Sequence, residues 1–119
     1  MTSRALILVV EDDPEVRAFM AEALMGAGFD VLEAADGWQA LDVVGSRRPA
    51  LAILDMMLPG IDGEAVASAL AVMEGVPMLL VTGGAQPAAM AARMGAYAYL
   101  RKPFGVDTLL RTVRQGLTS

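Results

Sequence analysis

Short apolar runs alternate along the chain with segments whose apolar residues recur every three or four positions, and the alternation repeats five times. The runs Leu6–Val10, Val31–Ala34, Leu51–Leu54, Met78–Val81 and Ala98–Leu100 predict strands. Four of them are nearly continuous in apolar residues, as in a parallel sheet covered on both faces. Glu33 interrupts the second, which therefore reads as an edge. Helices are predicted between them at Pro14–Ala27, Trp38–Val44, Glu64–Met73, Pro87–Met94 and Val106–Leu117.

The first helix has a clear start. Asp13 is placed to cap it, and Pro14 suits the first helical position, where no amide donor is needed. Val16, Phe19, Met20, Ala23, Leu24 and Ala27 form one apolar stripe, and Gly26 or Gly28 would end the helix. The last helix repeats the stripe with Val106, Leu109, Leu110, Val113 and Leu117. Trp38 reads as partly exposed packing at the start of the second helix, with partner contact as the other reading. The alternation of strands and helices predicts a doubly wound α/β domain with right-handed crossovers.

Composition narrows the class. A chain of 119 residues with 55% hydrophobic content fits one compact domain, residues 1–119. No apolar run approaches the ~20 residues that span a bilayer, and no secretion signal is evident, so a cytoplasmic location is expected. The chain has neither cysteine nor histidine. That excludes disulfides, thiolate and imidazole metal sites and Ser-His-Asp chemistry, and leaves oxygen ligands that favour a hard cation such as Mg²⁺. The net charge of −5 argues against nucleic-acid binding by this domain. Arg93, Arg101, Lys102, Arg111 and Arg114 crowd the C-terminal part, as either a partner surface or an ordinary solvated face.

In open parallel sheets the chemistry collects at the carboxyl ends of the strands. Glu11-Asp12-Asp13 follow the first predicted strand, Asp55 the third, Thr82-Gly83-Gly84 the fourth and Lys102-Pro103 the fifth. If the first and third strands are neighbours, at least three carboxylates converge. They repel one another unless a divalent cation and a lysine offset the charge. Lys102 is the sole lysine beside eight arginines. A flexible ammonium suits a phosphoryl oxygen, although a lone lysine at a strand end is also an ordinary solvated group. The proline after it raises the chance of a cis peptide, which would set the lysine's direction. The Thr82 hydroxyl can donate to a phosphoryl oxygen or cap its own loop.

Four segments in register resemble the receiver domain of two-component response regulators. They are Val10-Glu11-Asp12-Asp13-Pro14, Asp55-Met56-Met57-Leu58-Pro59-Gly60-Ile61-Asp62-Gly63, Val81-Thr82-Gly83 and Tyr99-Leu100-Arg101-Lys102-Pro103-Phe104. The resemblance covers essentially the whole chain and implies a flavodoxin-like fold: a five-stranded parallel sheet of order 2-1-3-4-5 with helices on both faces. It implies that Asp55 accepts a phosphoryl group from a histidine kinase or phosphotransfer protein. It further implies Mg²⁺ (or Mn²⁺) on Glu11, Asp12, Asp55 and the main-chain carbonyl of Met57. Lys102 and Thr82 would hold the phosphoryl oxygens, and Thr82 and Tyr99 would act as the switch. The domain would catalyse its own phosphorylation and dephosphorylation rather than turn over a substrate. The face of the fourth predicted helix, fifth strand and fifth helix would change to control an output.

A monomer or a weak phosphorylation-dependent dimer is expected, because Gly95-Ala96-Tyr97-Ala98-Tyr99 lacks the acid that dimerising members carry before the switch aromatic. The alternative is a degenerate receiver that binds partners without phosphorylation. A dehalogenase-type phosphatase is disfavoured by Met57, which cannot transfer a proton where that family has its second aspartate. A dinucleotide binder is disfavoured because Glu11-Asp12-Asp13 would repel a phosphate.

Overall fold

The computed structural model describes residues 4–55 and 75–118. These contain β1 (Leu6–Val10), α1 (Pro14–Gly26), β2 (Asp30–Ala34), α2 (Gly37–Ser46), β3 (Leu51–Asp55), β4 (Met78–Thr82), α3 (Pro87–Met94), β5 (Ala98–Arg101) and α4 (Val106–Thr118). The predicted helix Glu64–Met73 and the residue Met57 lie outside the described residues.

The strands form one parallel sheet in the order β2-β1-β3-β4-β5. Successive side chains of a strand point to opposite faces, so each central strand feeds two cores. Ile7, Val9, Leu51, Ile53, Leu79 and Val81 pack with Met20 and Leu24 of α1 and with Leu109 and Val113 of α4. Leu8, Val10, Ala52, Leu54 and Leu80 face the other way, onto Ala40 and Val44 of α2 and Ala91 and Met94 of α3. Helices therefore cover both faces, as the continuous apolar runs require.

Local chemistry explains the helix ends. The Asp13 carboxylate accepts from the Glu15 amide at 2.9 Å, and the Asp36 carboxylate accepts from the Gln39 amide at 2.8 Å. Each satisfies an amide that has no partner in the first turn. After α1 the chain reverses through Gly28, whose φ of +97° is a region that side-chain-bearing residues avoid.

Two expectations need correction. β5 is not buried on both faces: it is an edge strand, with Leu100 inward and Tyr99 and Arg101 outward. Tyrosine counts as apolar in a run, yet its hydroxyl end tolerates water. Phe19 and Val106 belong to the predicted stripes but are 38% and 40% exposed, at the margins of the packed faces. Trp38, at the start of α2, is 65% exposed, in keeping with the partly exposed position expected for it.

A lock outside the predicted stripes joins Tyr97, the residue before β5, to α4. The Tyr97 hydroxyl donates to the Thr112 carbonyl at 2.7 Å, and the Thr112 hydroxyl donates to the Thr108 carbonyl at 2.7 Å. Burial pushes the Tyr97 phenol up to about 12 from its usual 10.0. Burial here favours the neutral form, so the folded state keeps its proton longer than the unfolded chain. Stability from this group is complete below pH 10 and declines as pH rises from 10 towards 12. Urea midpoints are expected to fall across that window in the wild type and to fall less in Tyr97→Phe. Parallel pH profiles for the two proteins would count against the lock.

Candidate functional site

β1 and β3 are neighbours, with Val10 paired to Leu54, so their carboxyl ends deliver Glu11-Asp12 and Asp55 to one place. β4 and β5 bring Thr82 and Lys102 to the same edge of the sheet, where the Lys102 amide donates to the Thr82 carbonyl at 2.9 Å. A cleft of about 440 Å³ opens there, lined among the described residues by Glu11, Asp12, Asp13, Asp55, Gly83, Gly84 and Lys102.

Glu11 is fully buried and held from three sides. Its amide donates to the Ala34 carbonyl at 3.0 Å, and its own carbonyl accepts from Arg17 Nη1 at 2.8 Å. Its Oε2 accepts from the Asp13 amide at 3.1 Å. Asp13 is therefore more than the predicted cap, since its main chain orients the neighbouring acid. The remaining oxygen, Oε1, lies 2.5 Å from Lys102 Nζ. That ion pair is the contact that holds this buried oxygen among the described residues. Lys102 Nζ also donates to Asp55 Oδ2 at 3.1 Å.

The electrostatics follow from this crowding. Burial pushes the Glu11 carboxyl up to about 7 from 4.5, partly opposed by Lys102 and reinforced by Asp55. Burial pulls the Lys102 ammonium down, but its contacts with Glu11 and Asp55 prevail and the net shift is upward. One lysine thus serves two nearly inaccessible acids. Carboxylate oxygens of Glu11, Asp12 and Asp55 all lie within 4.8 Å of one another. With three carboxylates brought together, the donor set fits a small oxygen-seeking dication: all ligands are oxygens, and the three acids together outweigh the charge of Lys102.

Most of the residues expected at the site meet there. Glu11, Asp12, Asp55 and Lys102 converge, and the Lys102–Pro103 peptide is cis. Thr82 is buried at the end of β4, and its Oγ accepts from the Gly84 amide at 3.0 Å. That bond is the capping role, and it uses an acceptor position, so the hydroxyl proton is left for another acceptor. Tyr99 is 42% exposed on β5 and is not among the described residues that line the cleft. Beside Lys102, the side chains of Val16, Phe19, Pro103 and Phe104 make an apolar hollow, with the Phe19 and Phe104 rings 6.1 Å apart. Arg17 was not foreseen as part of the site. Its one sequence signal is a cation in the first turn of the helix that follows the acids.

The family model described as the response regulator receiver domain matches residues 7–114. The chain belongs to this family. It is 39% identical over 118 residues to the DNA-binding response regulator MtrA of Mycolicibacterium smegmatis, a match covering 98% of this chain and 52% of that protein. The receiver chain thus spans about half the length of the MtrA regulators it matches. It is also 32% identical over 114 residues to sporulation initiation phosphotransferase F of Bacillus subtilis, covering 93% of this chain and 92% of that one. Among solved structures, the CheY-like receiver domain protein of Methanospirillum hungatei superposes with a TM-score of 0.90 at 27% identity, covering 98% of this chain and 95% of that chain. The chemotaxis response regulator CheY4 of Vibrio cholerae superposes with a TM-score of 0.88 at 30% identity, covering 97% and 100%. The receiver assignment, the sheet order and the place in two-component systems agree with the sequence expectation. Among the described residues, no helix is long and apolar enough to cross a membrane.

Proposed function

We propose that this receiver, a single domain over residues 1–119, accepts a phosphoryl group on Asp55 in the cytoplasm from a histidine kinase or phosphotransfer protein. The observation that carries the reading is one ammonium, Lys102, set against two buried strand-end carboxylates, Glu11 and Asp55. Such a cluster is costly as a purely structural feature, because buried carboxylates lose their hydration and repel one another. It is well suited to receive an anionic group once positive charge is provided.

In the proposed reaction an Asp55 carboxylate oxygen forms a bond to phosphorus while the bond from phosphorus to the donor breaks, and the electron pair of that bond leaves with the donor. Glu11, Asp12, Asp55 and the Met57 carbonyl are the proposed ligands of Mg²⁺ or Mn²⁺, with Asp12 the more exposed of the three acids. Bound there, the dication supplies charge that offsets the carboxylates and the equatorial phosphoryl oxygens. Lys102 needs only to turn from Glu11 towards a phosphoryl oxygen, because its main chain is already fixed to Thr82. The Thr82 hydroxyl has its proton free to donate to another. Rotation of Thr82 loosens its bond to the Gly84 amide, and Tyr99 moves inward from its exposed position on β5. The surface of α3, β5 and α4 then differs between the two forms, which is the output signal. The unphosphorylated form is monomeric, and any dimer is weak and depends on the phosphoryl group.

The test is uptake from acetyl phosphate, followed by intact mass. With Mg²⁺ the protein is expected to gain one phosphoryl group that hydroxylamine removes, as for an acyl phosphate. With a chelator it is expected to gain none. Equal uptake in both conditions would overturn the reading. No uptake with Mg²⁺ would favour a binding module that works without phosphorylation.

A further inference from the structure

Arg17 projects from the first turn of α1 and touches two other parts of the fold. Its Nη1 donates to the main-chain carbonyl of Glu11 at 2.8 Å. Its Nε lies 3.6 Å from Oε1 of Glu33 on the edge strand β2. The Arg17 side chain is 21% exposed against 48% for Glu33, so the inner bond is the more protected of the two. The next residue of β2, Ala34, takes the Glu11 amide through its carbonyl at 3.0 Å. Both main-chain polar groups of Glu11 are therefore engaged, one by β2 directly and one by a guanidinium that is itself anchored on β2.

We infer that Arg17 is a positioning residue for the dication site: it fixes the Glu11-Asp12 turn by bridging the Glu11 carbonyl to Glu33. The inference rests on the metal reading above and adds a residue to it. A carbonyl at the end of a strand has no ladder partner and would otherwise turn to water. Turning it rotates the whole peptide plane that it shares with the Asp12 amide, and so moves Asp12. Guanidinium is suited to the task because its planar fork offers separate donors to two acceptors at fixed angles, which an ammonium does not. Outer-shell groups of this kind typically change metal affinity by about 10–100-fold when they are removed.

The sign of the effect separates positioning from charge. A cation beside a dication site repels the ion, so by Coulomb's law its deletion should tighten binding. Loss of a fixed geometry should weaken it. Titration calorimetry with MgCl₂ on the full chain is expected to give a dissociation constant about tenfold higher for Arg17→Ala than for the wild type. Arg17→Lys, which keeps the charge and loses the fork, is expected to fall between them. Glu33→Gln lies at the protein surface and leaves the core intact, and it is expected to weaken binding by a smaller factor. Acetyl phosphate labelling of Arg17→Ala is expected to need more Mg²⁺ for half-maximal rate while reaching a plateau close to the wild type. Unchanged or tighter Mg²⁺ binding in Arg17→Ala overturns the positioning role, as does wild-type binding in Arg17→Lys. Failure of the wild type to bind Mg²⁺ overturns the metal reading itself, and this inference with it.

Discussion

Asp55→Asn is expected to reduce phosphoryl uptake from acetyl phosphate to background, a loss of more than about 100-fold, while the protein stays folded. The amide keeps the shape of the carboxylate but lacks the anionic oxygen that attacks phosphorus. Folding should survive because the substitution removes a charge from a crowded place. Asp55 is 3% exposed and is one of the groups that raise the Glu11 carboxyl. With a neutral side chain at 55, Lys102 can serve Glu11 alone. The Glu11 carboxyl should then ionise at a lower pH than in the wild type, and thermal stability near neutral pH should be equal or higher. Intact mass after acetyl phosphate treatment reads the uptake, and thermal unfolding reads the fold. Wild-type labelling in Asp55→Asn would place the acceptor elsewhere and remove the basis of the proposed function.

The strands and the acid cluster were readable in the sequence for one reason. A strand buried on both faces must be apolar almost without interruption, so β1, β3 and β4 announce themselves. The polar residues that break in at their carboxyl ends then stand out against that background. Asp55 directly after Leu51–Leu54, and Glu11 directly after Leu6–Val10, are conspicuous in this way. β5 misleads because Tyr99 reads as apolar in a run yet stands on the outer face of an edge strand. Arg17 was hidden because it works through a main-chain carbonyl, and no pattern of side-chain types records a main-chain acceptor. The partners of Gly116 were hidden too. Leu51 and Tyr97 are far from it along the chain and meet it only when α4 docks on the sheet.

Gly116→Ala is expected to destabilise the domain by about 2 kcal/mol, against the sign that helix propensity gives. Glycine inside a helix costs about 1 kcal/mol relative to alanine, so on propensity alone the substitution should stabilise α4. The packing reverses this. A Cβ at position 116 would fall 2.7 Å from Cδ1 of Leu51, and closer still to Cζ and the hydroxyl oxygen of Tyr97. Neither neighbour yields easily. Leu51 is fully buried in the core beneath α1 and α4. The Tyr97 ring is held by its bond to the Thr112 carbonyl, and displacing it gives up a hydrogen bond of about 1 kcal/mol net. The alternative is for α4 to lift from the sheet, which unpacks Leu109 and Val113. For a domain of this size the loss corresponds to a melting temperature lower by roughly 10 °C. Removing the ring should return part of it. Gly116→Ala is expected to cost less in a Tyr97→Ala background than in the wild type, a positive coupling in a double-mutant cycle. A melting temperature for Gly116→Ala at or above that of the wild type would mean that α4 has room at this point, and that Tyr97 does not fasten it to the sheet.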